Sequence, residues 1–254
     1  MSDAIKAATL EYATRLGDDS VVLGHRISEW VSYGPFLEED IAYGNVALDY
    51  IGRARMFYTY AAELANDGRT EDDFAYMRSD REYRNLLLME MPKGDFAYSQ
   101  VRQLFVDVYY SLLLPILEKS RDETLAAIAS KAVKETKYHL RRSHDWVLRL
   151  GDGTEESHKR TQKAVDALWG YTHEMFDMDE TEQRLADEGI GVDVSKLRDQ
   201  WHRMVSGILE EATLTVPEDS WAVRGGRTGY HTENLGHMLT EMQIVHRSYP
   251  GCQW

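Results

Sequence analysis

KAVKETKYHLRRSHDWVLRLG, residues 131–151, is the second half of a long helix with a histidine on its inner face. Asp122 as N-cap and Gly151 as the residue just past the end give a helix of roughly 28 residues, about 42 Å long. At about 100° per residue, Leu125, Ala129, Ala132, Thr136, His139, Ser143, Trp146 and Leu150 share one side. Lys134, Lys137, Arg141 and His144 lie on or toward the other. His139 therefore faces inward. Thr136 precedes it by one turn on the same side, and Glu135 points about 100° away from Thr136.

A helix of this length belongs in a bundle. In a ferritin-like four-helix bundle that holds two metal ions, an inward Glu-x-x-His on such a helix supplies two ligands one turn apart. Here Thr136 stands where the glutamate would be, and a hydroxyl does not replace a bridging carboxylate. The stretch reads as a di-iron helix with its carboxylate missing.

Composition agrees with a helical fold. The 254 residues include only five prolines among long runs of helix formers, and no useful length of strand-like alternation appears. The expectation is an all-α, ferritin-like four-helix bundle with additional C-terminal helices. It is read as one domain over 1–254, with a bundle core at about 3–151 and appended helices and tail at about 154–254. A formal charge of -14 argues against phosphate backbones and anionic lipid as partners. With no apolar run of membrane-spanning length and no apolar leader, a cytoplasmic location is expected. The single cysteine, Cys252, excludes an intrachain disulfide and a cysteine-based cluster, so any metal would need histidine and carboxylates.

Helix one spans 5–33, with a bend near Gly17, and carries Glu29 near its end. Helix two spans 38–66; Ile41, Leu48, Ile51, Tyr58 and Ala62 form its inner face, and Gly44, Ala47 and Gly52 allow close helix approach. Asp49 and Arg53 make an i, i+4 pair. After a polar linker, Asp95 caps a helix over 96–119 that is apolar nearly all round, hence central, with Pro115 in its last turn and Asp107 interrupting the run. Thr154 caps a fifth helix reaching Met175, and further helices follow at 180–187, 194–214 and 235–246. The irregular stretch from Pro217 to Asn234 is long enough to imply a task.

Gly225-Gly226-Arg227-Thr228-Gly229 follows no strand and lacks a Gly-Lys-Ser/Thr ending, which argues against a phosphate loop. His231, His237 and His246 form no evident site, and no nucleophile elbow is present. What remains is Glu29, Asp107 and His139, one from each of three helices. Two irons normally take four carboxylates and two histidines, so this set would under-ligate them. A cluster of core polar groups and a lone adventitious metal are the other readings.

Several segments together carry a family resemblance: Leu16-Gly17-Asp18, Glu29-Trp30, Asn45 with Leu48-Asp49, Gly52-x-Ala54-Arg55 and Tyr60-Ala61-Ala62-Glu63-Leu64. Leu86-Leu87-Leu88, Phe105-Val106-Asp107, Lys134-Glu135 and Tyr138-His139-Leu140-Arg141 continue it. The ending His231-Thr232-Glu233, Glu241-Met242-Gln243, Pro250-Gly251 and Gln253-Trp254 completes it. Over nearly its whole length the chain resembles the non-catalytic structural subunits of bacterial phenylacetyl-CoA 1,2-epoxidases, which belong to the ferritin-like superfamily. The resemblance implies a heteromer with a di-iron catalytic subunit, in a multicomponent monooxygenase of phenylacetate degradation fed by a separate reductase. It leaves a homodimer open for the isolated chain.

In the same terms this chain has no catalytic residues and no cofactor or metal of its own, the di-iron centre belonging to the partner subunit. Glu29, Asp107, Thr136 and His139 become vestigial di-iron positions, and the second helix's Glu-x-x-His falls on Ile51 and Ala54 or their neighbours. The alternative is a di-iron oxygenase or metal-binding ferritin-like protein in its own right. For partner contact the expected surface is the outer faces of the added helices with the arginine-rich loop at 224–229, Trp169, Tyr171, Trp201 and Trp221 supplying aromatic area. The fifth helix's own aromatic stripe is either core or partner surface.

Overall fold

The computed structural model describes residues 2–252; Gln253 and Trp254, part of the ending read above, lie outside the described residues. Among the described residues the regular structure is ten α-helices with short 3₁₀ turns and no strand, the all-α class expected. The helices are α1 (Asp3–Ser28), α2 (Leu37–Ala65), α3 (Glu71–Tyr76), α4 (Leu87–Glu90), α5 (Phe96–Leu117), α6 (Glu123–Gly151), α7 (Glu155–Leu168), α8 (Glu180–Asp187), α9 (Arg198–Glu211) and α10 (Glu233–Ser248). None of the described helices is long and apolar enough to cross a membrane. Two compact units divide the chain: residues up to Pro92 with those from Gly225 onward, and Lys93–Arg224. Each contains one long helical hairpin, the repeating element of ferritin-like folds.

In the first unit α1 and α2 run antiparallel. A Cβ at Gly17 would fall 2.5 Å from the Tyr58 ring, and one at Gly24 would fall 3.0 Å from Ile51 Cγ1. These glycines of α1 set the close approach. Gly17 is therefore a contact residue inside a continuous helix, where a bend was expected. Gly44 and Gly52 of α2 do not serve it: a Cβ at Gly44 would meet only Val31, at 3.9 Å, and one at Gly52 nothing within 4 Å.

The approach through α1 turns α2 so that Tyr43, Tyr50, Phe57 and Tyr58 are buried and Ile41 and Leu48, expected inside, are exposed. Aromatic rings offer more area to bury than the aliphatic positions do, and Trp30 stacks on Tyr43 with centroids 5.3 Å apart. Arg53 is fully buried as well. Helix α1 stops at Ser28, five residues before the expected end, and turns through Ser32 at a positive φ of 73°.

In the second unit α5 and α6 pair antiparallel, with Phe96 edge-on to Trp146 at 4.9 Å. Asp95 and Asp122 cap them as read from sequence, accepting from the backbone N–H of Tyr98 and of Thr124 and Leu125. Helix α5 is buried on nearly every side, as its composition requires. On α6 the inner stripe holds from Leu125 to Ser143 and then passes to Val147 and Gly151, leaving Trp146 and Leu150 half-buried. Gly151 is the last helical residue. A Cβ there would fall 2.3 Å from the Ala212 carbonyl oxygen, so packing, not chain reversal, requires the glycine.

Trp169 and Trp201, expected at a partner surface, are core residues, 1% and 2% exposed. Trp201 sits edge-on to Phe105 at 5.6 Å and near Phe176 at 5.5 Å, and its indole N–H donates to the Phe105 carbonyl at 2.9 Å. Trp221 lies against Gly170, where a Cβ would fall 2.2 Å from its ring. The fifth helix ends at Leu168 and the chain reaches Phe176 through 3₁₀ turns.

Candidate functional site

The four positions singled out on the bundle helices are held as follows. Asp107 of α5 is fully buried; one carboxylate oxygen accepts from the Gln103 amide at 2.7 Å and the other from the Ser143 hydroxyl at 2.7 Å. Gln103 lies one turn before it, and Ser143 comes from the facing helix. Thr136 and His139 are buried on α6. Thr136 lines a small cavity of about 80 Å³ with Tyr110, Pro115, Val133, Lys137 and Leu140, a lining without a carboxylate. Glu135 turns to Lys131, 3.9 Å away. Glu29 is half-exposed at the end of α1 and accepts from Arg26 Nη1 at 2.6 Å.

These residues do not fit a dinuclear iron centre. Both Asp107 oxygens are engaged by neutral donors, Glu29 is matched by a guanidinium, and Thr136, one turn before His139, offers a hydroxyl. No group of three or more His, Cys, Asp or Glu side chains among the described residues is arranged to hold a metal ion.

The dominant polar construction is a different one, in the first unit. Asp18 and Asp19, adjacent in the middle of α1, are both fully buried. Asp18 accepts from the Tyr58 hydroxyl at 2.6 Å, from the Arg84 backbone N–H at 2.7 Å and from both terminal nitrogens of Arg78, Nη1 at 3.1 Å. Arg78 also donates to the carbonyls of Phe74 and Glu82 and covers the Tyr83 ring, 4.4 Å from its centroid. Burial alone would lower its pKa, but the Asp18 charge reverses that and holds the guanidinium above its ordinary value.

Asp19 takes the fork of Arg227, Nη1 to Oδ1 at 3.0 Å and Nη2 to Oδ2 at 2.8 Å, and the Leu86 backbone N–H at 2.7 Å. Its burial outweighs the guanidinium and pushes the carboxyl up. Arg227 is thus an internal clamp and not the surface residue expected. Gly226 beside it has no room for a side chain, since a Cβ would fall 2.1 Å from the Asn85 carbonyl oxygen. Arg224 ion-pairs with Asp177 on an exposed surface.

A third anchor is Glu90, which is fully buried. It accepts from Asn85 at 2.9 Å, from the Thr232 backbone N–H at 2.6 Å and from His231 Nδ1 at 2.7 Å. His231 Nε2 lies 3.0 Å from the Tyr83 carbonyl. The carbonyl at Nε2 and the carboxylate at Nδ1 both favour a proton on the ring nitrogen that faces them. Burial opposes the charged ring, but the hydrogen bond and charge of Glu90, with the Tyr83 carbonyl, raise the pKa above the ordinary histidine value.

A histidine pKa raised in the folded state stabilises fully below its unfolded value, and the contribution is lost as pH rises through the folded pKa. Wild type is expected to exceed a His231→Asn variant by about 1.5–3 kcal/mol below pH 6, the range for a bond to a charged group. The gap should close at alkaline pH. Urea unfolding of both proteins across that interval checks it.

Arg26 completes the set by donating to the Glu90 carbonyl at 3.1 Å and the Asn234 carbonyl at 2.6 Å. Together these bonds fix the irregular stretch after Gly225 to α1, to α4 and to the segment before α4. The length of that stretch implies a task, and the task is tethering, through partners that its own sequence does not name. The available signal was two adjacent aspartates inside an otherwise apolar part of α1, which must find cations elsewhere in the chain.

An all-α chain with two long helical hairpins, whose buried ion pairs tie its segments together, has the architecture of the ferritin-like class. The chain belongs to the phenylacetic acid catabolic protein family, whose model matches residues 1–254. It is similar to one of the subunits of the 1,2-phenylacetyl-CoA epoxidase of Escherichia coli (strain K12), at 48% identity over 243 residues, 96% of this chain and 98% of that protein. The resemblance carried by the sequence segments holds over the full length.

Proposed function

We propose that this chain is the non-catalytic structural subunit of a multicomponent di-iron monooxygenase that epoxidises the aromatic ring of phenylacetyl-CoA in the cytoplasm during aerobic phenylacetate degradation. It forms a heteromer with the di-iron catalytic subunit, and a reductase supplies the electrons. The observation that carries this reading is the end-to-end similarity to a named component of that epoxidase. The engagement of Asp107 by Gln103 and Ser143, and the threonine at 136, support a chain that scaffolds and leaves oxygen chemistry to its partner.

Reconstitution tests it. Purified catalytic subunit and reductase, with an electron donor for the reductase and phenylacetyl-CoA, are expected to turn over at the full rate only when this chain is added. This chain with reductase alone is expected to give none. Epoxide formation by this chain and reductase without the catalytic subunit would assign the chemistry here instead.

A further inference from the structure

Helix α2 carries an apolar stripe that its own unit does not cover. Leu37, Ile41 and Leu48 are 70%, 54% and 66% exposed, and they recur with Gly44, Gly52 and Arg55 at spacings of three and four residues. Val31, Tyr33 and Phe36, all exposed, continue the patch from the preceding turn. Single exposed apolar residues are ordinary, but a contiguous set in helical register marks a contact surface. The open space at Gly52 lets another backbone come close. The pattern is the one a second helix reads when it lies along the first.

The charges beside the stripe select the occupant. Glu38, Glu39 and Asp40 occupy the first turn of α2. At the other end the stripe runs into a cleft of about 250 Å³, where Ile51, Ala54 and Arg55 of α2 face Glu71, Asp72 and Tyr76 of α3. Its floor is apolar and its rim acidic, with Arg55 matched to Glu71 at 3.3 Å. Such a cleft suits a long basic side chain, whose methylenes lie on the floor while its head meets the carboxylates. A second copy of this chain, itself carrying a charge of -14, would bring acid to acid.

We infer that the outer face of α2, with the cleft at α3, is the docking surface for an amphipathic helix of a different epoxidase subunit. That helix has apolar residues at three-four spacing and a lysine or arginine that enters the cleft. The inference rests on the proposed role as a subunit.

The test is affinity capture of the purified remaining subunits on immobilised full-length chain, with dissociation constants measured in low and high salt. Ile41→Glu with Leu48→Glu should weaken binding at least about 30-fold, the loss carried by hot-spot residues. Gly52→Phe, placed where a Cβ meets nothing within 4 Å, should do the same with Tm unchanged. Asp72→Lys should weaken binding about 10-fold and flatten its salt dependence. Ile244→Glu, exposed on α10, should change nothing. Wild type that captures no epoxidase subunit would defeat the role as a subunit. Wild type that binds while the α2 variants, unchanged in Tm, bind equally well would defeat the docking surface alone. So would a homodimer of the isolated chain that Leu48→Glu dissociates, because the face would then belong to a second copy.

Discussion

Replacing Arg78 by alanine is expected to destabilise the protein by about 3–5 kcal/mol, the cost of leaving a buried charge without its partner. Asp18 is fully buried, and its remaining donors, the Tyr58 hydroxyl and one backbone N–H, do not neutralise it. The loss goes beyond one ion pair, because Arg78 also holds the carbonyls of Phe74 and Glu82 and so joins α3 to the turn that follows it. Urea unfolding monitored by circular dichroism measures it. The double replacement Asp18→Asn with Arg78→Met is expected to cost less than Arg78→Ala alone, since it removes the stranded charge. Equal costs would mean that packing, not charge, dominates at this site.

The second large effect lies in the other unit. Trp201→Ala is expected to cost about 3–5 kcal/mol, as deletion of a buried indole leaves a cavity that the surroundings fill only in part. Trp201 contacts Phe105, Trp169 and Phe176, so the cavity would open where α9 meets α5. The Phe105 carbonyl would also lose the indole N–H. Trp201→Phe keeps most of the ring area and is expected to recover more than half of the loss. Thermal unfolding of the three proteins decides it, and a Trp201→Ala protein within about 1 kcal/mol of wild type, well under the range for core deletions, would contradict the packing described.

Helix limits were legible where a local signal sets them. Asp179 caps α8 reciprocally with Glu182, and the helix spans the residues read from sequence. Asp95 and Asp122 mark the starts of α5 and α6 by accepting from backbone N–H groups of the first turn. The inner face of α6 was legible because its period is regular, and His139 and Thr136 lie buried there as read.

Helix α2 misled because its mean pattern is apolar on more than one side. Which side is buried depends on Gly17 and Gly24 of another helix, and no period within α2 records that. The Asp18, Asp19 and Glu90 anchors were out of reach for a related reason: their partners stand 60, 208 and 141 residues away in sequence. A buried acid announces that a cation is needed without saying which one. The arginine-rich loop was noticed for its composition, yet it is Asp19 that turns Arg227 inward. Asp107 was legible as an acid in an apolar run, while its donors Gln103 and Ser143 required the α5–α6 register.

A chain that scaffolds an oxygenase without holding its iron, the role proposed above, should be metal-free when pure. Elemental analysis of metals per chain, on this protein purified alone and again in complex with the catalytic subunit, measures this. The expected result is less than about 0.1 metal per chain alone and, in the complex, about two irons per catalytic chain, the dinuclear stoichiometry of the ferritin-like carboxylate proteins. About two irons bound by this chain alone would contradict it and make Asp107 and His139 working ligands.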